Sequence, residues 1–158
     1  EANDEATVKA NWEQLKLKEG KKSVLEGVPK GLPSLVKAYR MQDKVRGVGF
    51  DWDNEHQVWD KVEEELAEFK AELDVDAERA TDEFGDVLFA LVNFARFKDI
   101  NPDEALERTN RRFRNRFQYM ENEIRKAEGK SLAEMTLAEM DVHWNAAKKA
   151  LAKDEMRP

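Results

Sequence analysis

From Phe84 to Ala95 the chain reads FGDVLFALVNFA, apolar on nearly every face of a helix. A helix that is apolar all round has to be covered by other elements. It is too short for a membrane, where a spanning helix needs about 20 apolar residues, and no run in the chain approaches that. The segment therefore predicts a central helix with other helices packed around it. The chain has the material for them. Only seven Gly and four Pro interrupt 158 residues, and Val-Ile-Thr runs are few, so strands are not expected.

Six helices are predicted. The first, about Asp4 to Glu19, is short and mostly polar. SVLEGVPKGLP, from Ser23 to Pro33, reads as a loop. The second helix starts at Pro33, a favourable first-turn residue, and ends before Gly47 and Gly49. The third runs from near Asn54 to about Asp74. The fourth, the central one, runs from near Asp76 to about Lys98. The fifth is capped by Asn101, with Pro102 next and Glu104 three after the cap, and stops at Gly129. The sixth follows a capping box, Thr136 with Glu139, and fades near Lys153.

Short links between the third, fourth and fifth helices imply antiparallel neighbours, so the expected fold is an all-α antiparallel helical bundle. The expected layout is an N-terminal helix and linker over 1–32, a helical domain over 33–153 and a frayed tail over 154–158. The first helix packs little apolar surface and the chain begins without Met, so a domain cut from a longer protein is expected. The apolar surplus on the central helix predicts a homodimer.

Composition removes several function classes. There is no cysteine, which excludes disulfides, thiolate metal sites and cysteine nucleophiles. Two histidines, His56 and His143, leave little for histidine-based chemistry. A net charge of −7 argues against a nucleic-acid polymer as partner, although a small anion held by a few arginines is allowed. No secretory signal and no membrane span are visible, so the cytoplasm is the expected location.

Most acidic residues here read as solvated helix faces, but some do not. On the third helix Val58, Val62, Leu66, Phe69 and Leu73 share a stripe, and Glu65 falls inside it. Glu68 sits one turn on. On the fourth, Glu83 and Asp86 share a face of the apolar helix. A buried carboxylate neutralises, pairs or binds a metal. Four carboxylates on adjacent antiparallel helices suit a divalent cation. An all-oxygen set suits Mg²⁺, with Mn²⁺ as a substitute, and Mg²⁺ commonly arrives with substrate phosphates. The plain alternative is ion pairing with Lys61, Arg79 and the arginines of the fifth helix.

Arg108, Arg112 and Arg116 recur every four residues on the fifth helix, a stripe suited to phosphate or to simple solvation. Phe113, Phe117, Met120 and Ile124 form a separate, core-facing stripe. Arg79 lies one turn before Glu83. Trp144 and Lys148, four apart, share a face that either stacks on a base and meets a phosphate or packs in the core. Neither GxxxxGK[ST] nor GxGxxG occurs, so any nucleotide would be held by metal and arginine on helices.

Glu64-Glu65-Leu66-Ala67-Glu68 followed by Glu83-Phe84-Gly85-Asp86 resembles the EExxE…ExxD signature of the MazG-type all-α nucleoside triphosphate pyrophosphohydrolases. VGFDWDN (Val48 to Asn54), VWDKVEEELAEFKAEL (Val58 to Leu73), DEFGDVLFALVNFARF (Asp82 to Phe97) and TNRRFRNRF (Thr109 to Phe117) extend the resemblance, which covers about Trp12 to Lys148. It is closest in kind to the second, catalytic domain of the bacterial two-domain proteins. The resemblance implies Mg²⁺-dependent hydrolysis of ribo- and deoxyribonucleoside triphosphates to monophosphate and pyrophosphate. It implies metal ligands at Glu65, Glu68, Glu83 and Asp86, with Glu64 the remaining motif acid. It implies substrate contacts at Arg79, Arg112, Arg116, Trp144 and Lys148. It also implies a dimer and a role in nucleotide-pool cleansing or the starvation response. A non-catalytic nucleotide- or protein-binding module, or a narrower dUTP or phosphoribosyl-ATP hydrolase, is the alternative.

Overall fold

A computed structural model of the chain describes residues 23–127, 129 and 131–155. The expected first helix, with Trp12, lies outside the described residues. Every long element among the described residues is an α-helix: α1 (Ser34–Arg46), α2 (Glu55–Glu72), α3 (Ala77–Phe97), α4 (Pro102–Ala127) and α5 (Leu137–Glu155). The all-α class is as the sequence indicates. A single 3₁₀ turn, Leu132–Glu134, precedes α5.

The ends of the helices follow from side chains named above. Asn54 caps α2, its Oδ1 accepting from the Gln57 amide at 3.2 Å. Asp76 caps α3, accepting from Glu78 at 2.9 Å and Arg79 at 3.2 Å. Thr136 and Glu139 close the capping box at the head of α5: the Thr136 amide donates to Glu139 Oε2 at 2.7 Å. Gly49 has φ +88°, which suits only glycine in the turn between α1 and α2. The 3₁₀ turn carries its own box, Ser131 with Glu134. Its S-x-x-E signature is in the sequence, but three residues are too few to show a period. Helix α5 continues to Glu155, two residues past its expected end.

The described chain forms two compact units, one ending at Asp103 and one beginning at Glu104. In the first, α2 and α3 run antiparallel. Lys98 pairs with Glu55 at 2.6 Å, Trp59 meets Phe94 edge-on at 4.9 Å, and Phe69 lies 5.3 Å from Phe84. Between these contacts sit small buried side chains, Val58, Val62, Ala80, Val87, Ala90 and Val92, which let the two helices approach closely. Helix α1 packs on α3 as well.

The central helix is only partly covered within this unit. Phe84, Leu88 and Leu91 remain 48%, 43% and 42% exposed. Two neighbours cannot enclose a helix that is apolar on nearly every side, and Leu66, expected in the buried stripe of α2, is also open at its surface.

One buried charge holds the loop before α2. Arg96 is 4% exposed. Its Nη1 donates to Asp51 Oδ2 at 3.0 Å and its Nη2 to Asp51 Oδ1. Asn93 Oδ1 accepts from Arg96 Nε at 3.0 Å and Nη2 at 2.8 Å. The guanidinium is thus satisfied on two sides, which a charge at this depth requires.

The second unit is built on Met120, Ile124, Met135 and Ala147, with Phe117, Tyr119, Leu132, Met140 and Trp144 against them. Met120 and Ile124 confirm the core stripe of α4. Phe113, read into that stripe, is 58% exposed and stacks on Phe117 instead.

Candidate active site

The antiparallel register of α2 and α3 brings acids from both helices to one place. Single oxygens of Glu65, Glu83 and Asp86 all lie within 4.8 Å of one another. Glu65 is the buried member at 6% exposure, Glu83 is intermediate and Asp86 is exposed. Spacing explains the arrangement. Glu65 is three residues after Val62 and so shares its buried face, while Glu83 and Asp86 are one turn apart on α3.

The electrostatics are those of crowded carboxylates. Burial pushes the Glu83 carboxyl above its usual value of 4.5, and repulsion from Glu68, Asp86 and Glu65 adds to it; Arg79 acts the other way. Lys61 is held firmly protonated by hydrogen bonds to Glu65 first and Glu64 second. Its Nζ lies 2.5 Å from Glu65 and 2.9 Å from Glu64. An all-oxygen cluster that raises the affinity of Glu83 for a proton also suits a divalent cation, which supplies the positive charge from one centre.

A stability test follows from the Glu83 shift. A carboxyl whose folded value is raised binds protons more tightly folded than unfolded, so its charge destabilises the fold at neutral pH. Glu83→Gln is expected to raise the melting temperature of the metal-free protein at pH 7. The gain should vanish as the pH falls through the raised value towards 4.5. A gain that persists unchanged at low pH would assign it to packing.

Of the four expected ligands, Glu68 alone stands outside the three-oxygen cluster, though near enough to act on Glu83. Glu64 is exposed and bonded to Lys61 at 2.9 Å. Arg79 pairs with Glu72 at 3.1 Å, not with Glu83. Arg112 is exposed and donates to Thr109 at 2.9 Å. Arg116 is half-buried. Arg108, in the same stripe, is tied to Glu104. Trp144 packs against the second unit's core, 5.3 Å from Phe113, with Lys148 Nζ 5.9 Å from its ring.

Trp144 therefore carries packing, whatever else it does. Trp144→Ala is expected to destabilise the protein by about 3 kcal/mol, the low end for a large aromatic because the ring is half-exposed. Urea titration measures this; an unchanged midpoint would show the ring to be dispensable to the fold.

Beside the acids opens a cleft of about 520 Å³, within the range of small-molecule sites. Glu65, Asp86 and Lys61 line it together with Phe50, Trp52 and Phe89. Gln42, Asp51, Asn93 and Arg96 line it too. Sequence reasoning passed over these four polar residues. The signal that exposed Glu65 applied equally to Asn93 and Arg96, polar positions three apart on an apolar helix, and to Gln42, placed between Met41 and Val45.

Helices carrying a crowded carboxylate cluster beside an apolar cleft define a class: a helical protein with an acidic cluster that could hold a cation next to a cleft of small-molecule size. The family comes from comparison with known proteins. No family model matches the chain. It is 39% identical over 140 residues, 87% of its length, to a nucleoside triphosphate pyrophosphohydrolase/pyrophosphatase MazG of Thermotoga maritima. It is 36% identical over 155 residues, 94% of its length, to a nucleoside triphosphate pyrophosphohydrolase of Escherichia coli. It is also 48% identical over 155 residues to the uncharacterized protein YabN of Bacillus subtilis. Over most of its length the chain thus has homologues that are named nucleoside triphosphate pyrophosphohydrolase. It spans 54% and 59% of the lengths of the Thermotoga and Escherichia relatives and 30% of YabN.

Proposed function

We propose that the chain hydrolyses ribo- and deoxyribonucleoside triphosphates to the monophosphate and pyrophosphate, using Mg²⁺ or, in its place, Mn²⁺. The observation that carries this reading is the meeting of Glu65, Glu83 and Asp86 at a cleft large enough for a nucleoside. The names of the two relatives support the reaction type.

Glu65, Glu83 and Asp86 would hold the cation in this reading, with Glu68 as the fourth ligand, and a cation there would supply positive charge against the attacked and departing phosphates. Glu64, or one of the ligand acids, orients the water that attacks the α-phosphorus. Arg79, Arg112, Arg116 and Lys148 take the phosphates, where a charge-assisted contact is worth about 1.5–3 kcal/mol whatever the base. Trp144 is the remaining substrate position that the resemblance implies. Domain 33–153 is the catalytic unit of a longer two-domain protein. It works as a homodimer that covers Phe84, Leu88 and Leu91, in the cytoplasm, on nucleotide-pool cleansing or in the starvation response. No helix among the described residues is long and apolar enough to cross a membrane.

A panel of nucleoside triphosphates read by pyrophosphate release tests the proposal. Turnover is expected with Mg²⁺ or Mn²⁺ and none in excess chelator. Full activity in chelator would remove the metal. Binding without turnover of any member would leave a nucleotide-binding module, and turnover of dUTP or phosphoribosyl-ATP alone would leave a narrower hydrolase.

A further inference from the structure

Glu72 closes α2, and Arg79 lies in the first turn of α3. Each stands at the wrong end for its helix dipole, which favours cations near a C-terminus and acids near an N-terminus. Neither therefore helps its own helix. They meet each other instead: Arg79 Nη2 lies 3.1 Å from Glu72 Oε1. The Glu72 side chain is 16% exposed and that of Arg79 64%. The carboxylate is thus the fixed member of the pair, and the guanidinium is the member open to solvent.

Spacing ties this pair to the acidic cluster. Glu65, Glu68 and Glu72 recur at i, i+3 and i+7, on one face of α2. Arg79, Glu83 and Asp86 recur at i, i+4 and i+7, on one face of α3. The helices run antiparallel, so the two faces meet in rungs. Glu65 and Asp86 come together in the three-oxygen cluster. Glu68 acts on Glu83. Glu72 takes Arg79. Of these three rungs, only the last joins opposite charges.

Arg79 has a second carboxylate within reach, since Glu83 stands one turn on along the same helix. Glu83 is crowded by other acids, and Arg79 already acts on it through space. The Arg79 backbone is fixed, its amide donating to the Asp76 cap at 3.2 Å, so the choice between Glu72 and Glu83 falls to the side chain. A guanidinium drawn onto Glu83 would engage a carboxylate that a cation needs. We infer that Glu72 is a positioning residue: by holding Arg79 at the head of α3 it keeps the guanidinium off Glu83, which leaves that carboxylate to a divalent cation and the exposed guanidinium to a phosphate. This rests on the cation site proposed above.

Mn²⁺ titrated into the nucleotide-free protein, followed by calorimetry, reads the ligand set without turnover. Glu72→Gln keeps the shape of the side chain and removes its charge. Arg79 is then released towards Glu83, and the dissociation constant for Mn²⁺ should rise about three- to fivefold, because the ion must first break a partly exposed ion pair. The lost negative charge also weakens cation binding through space, and a second background separates the two effects. In Arg79→Met no guanidinium is left to swing, so adding Glu72→Gln should change the constant by less than about 1.5-fold. A melting curve of each variant shows whether the fold is kept.

An equal rise in both backgrounds would make Glu72 a distant charge and overturn the inference. So would an unchanged constant in Glu72→Gln, which would reduce the pair to a bridge between two helix ends. That second result, with Mn²⁺ bound by the unmodified protein, leaves the cation site and the hydrolase reading standing. Failure of the unmodified protein to bind Mn²⁺ removes the cation site, and the role of Glu72 with it.

Discussion

Glu65→Gln and Asp86→Asn should each lower pyrophosphate release by two orders of magnitude or more, with the fold retained. The size follows from what each carboxylate does in the proposed site. It contributes a full negative charge to a cation that must counter the charge building on the phosphates. Losing such a preorganised contact removes about 3 kcal/mol of transition-state stabilisation, which is a hundredfold in rate. The fold should survive because these acids crowd within 4.8 Å of one another and like charges so close repel. The two variants differ in one respect. Glu65 is 6% exposed and holds Lys61, so Glu65→Gln also releases that ammonium. Asp86 is exposed and holds no such lysine among the described residues. Asp86→Asn is therefore the cleaner measurement. Retained turnover in Asp86→Asn, with an unchanged melting curve, would place the chemistry elsewhere in the chain.

The carboxylates could be found from sequence because they break a rule locally. Glu65 occupies a position that the period of α2 assigns to the core, and Glu83 and Asp86 stand in a helix with almost no other polar face. Helix limits were legible for a related reason. Asn54, Asp76, Asn101 and the Thr136–Glu139 box act on backbone groups only two or three residues away, so no tertiary information is needed. The cleft was not legible. Gln42, Asp51 and Arg96 come from three separate parts of the chain, and nothing local states that they meet. The exposure of Phe84, Leu88 and Leu91 was hidden for the opposite reason. Periodicity says that a helix is apolar all round, but not which faces its own unit covers. Trp144 shows the limit of a shared face. Its four-residue spacing from Lys148 fits a stacked base and a packed core equally well, and only the surroundings of the ring, Phe113 and the Met120 cluster, separate them.

Breaking the pair between Asp51 and Arg96 should cost about 3–5 kcal/mol of folding stability, the range for removing one partner of a buried ion pair. A domain of this size has roughly 5–15 kcal/mol in all. The two ends are not equivalent. The Arg96 side chain is 3% exposed and that of Asp51 21%. Arginine cannot shed its charge, so Asp51→Ala leaves a buried cation with hydrogen bonds, among the described residues, to Asn93 and no carboxylate partner. Arg96→Met leaves a carboxylate that can reach water, and puts an apolar chain of similar length in the gap. Asp51→Ala is therefore expected to be the more damaging, with Arg96→Met nearer the low end of the range. The double variant should recover part of the loss, because no unpaired charge remains. Urea titration of the three variants measures the cycle. Two single variants within 1 kcal/mol of the unmodified protein would mean that water replaces the lost partner freely. A functional effect should accompany the loss of stability. Asp51 anchors the segment that brings Phe50 and Trp52 to the cleft, so Arg96→Met should raise KM for every nucleoside triphosphate more than it lowers kcat. A fall in kcat alone, with KM unchanged, would tie Arg96 to the acids along α3 and not to the wall of the cleft.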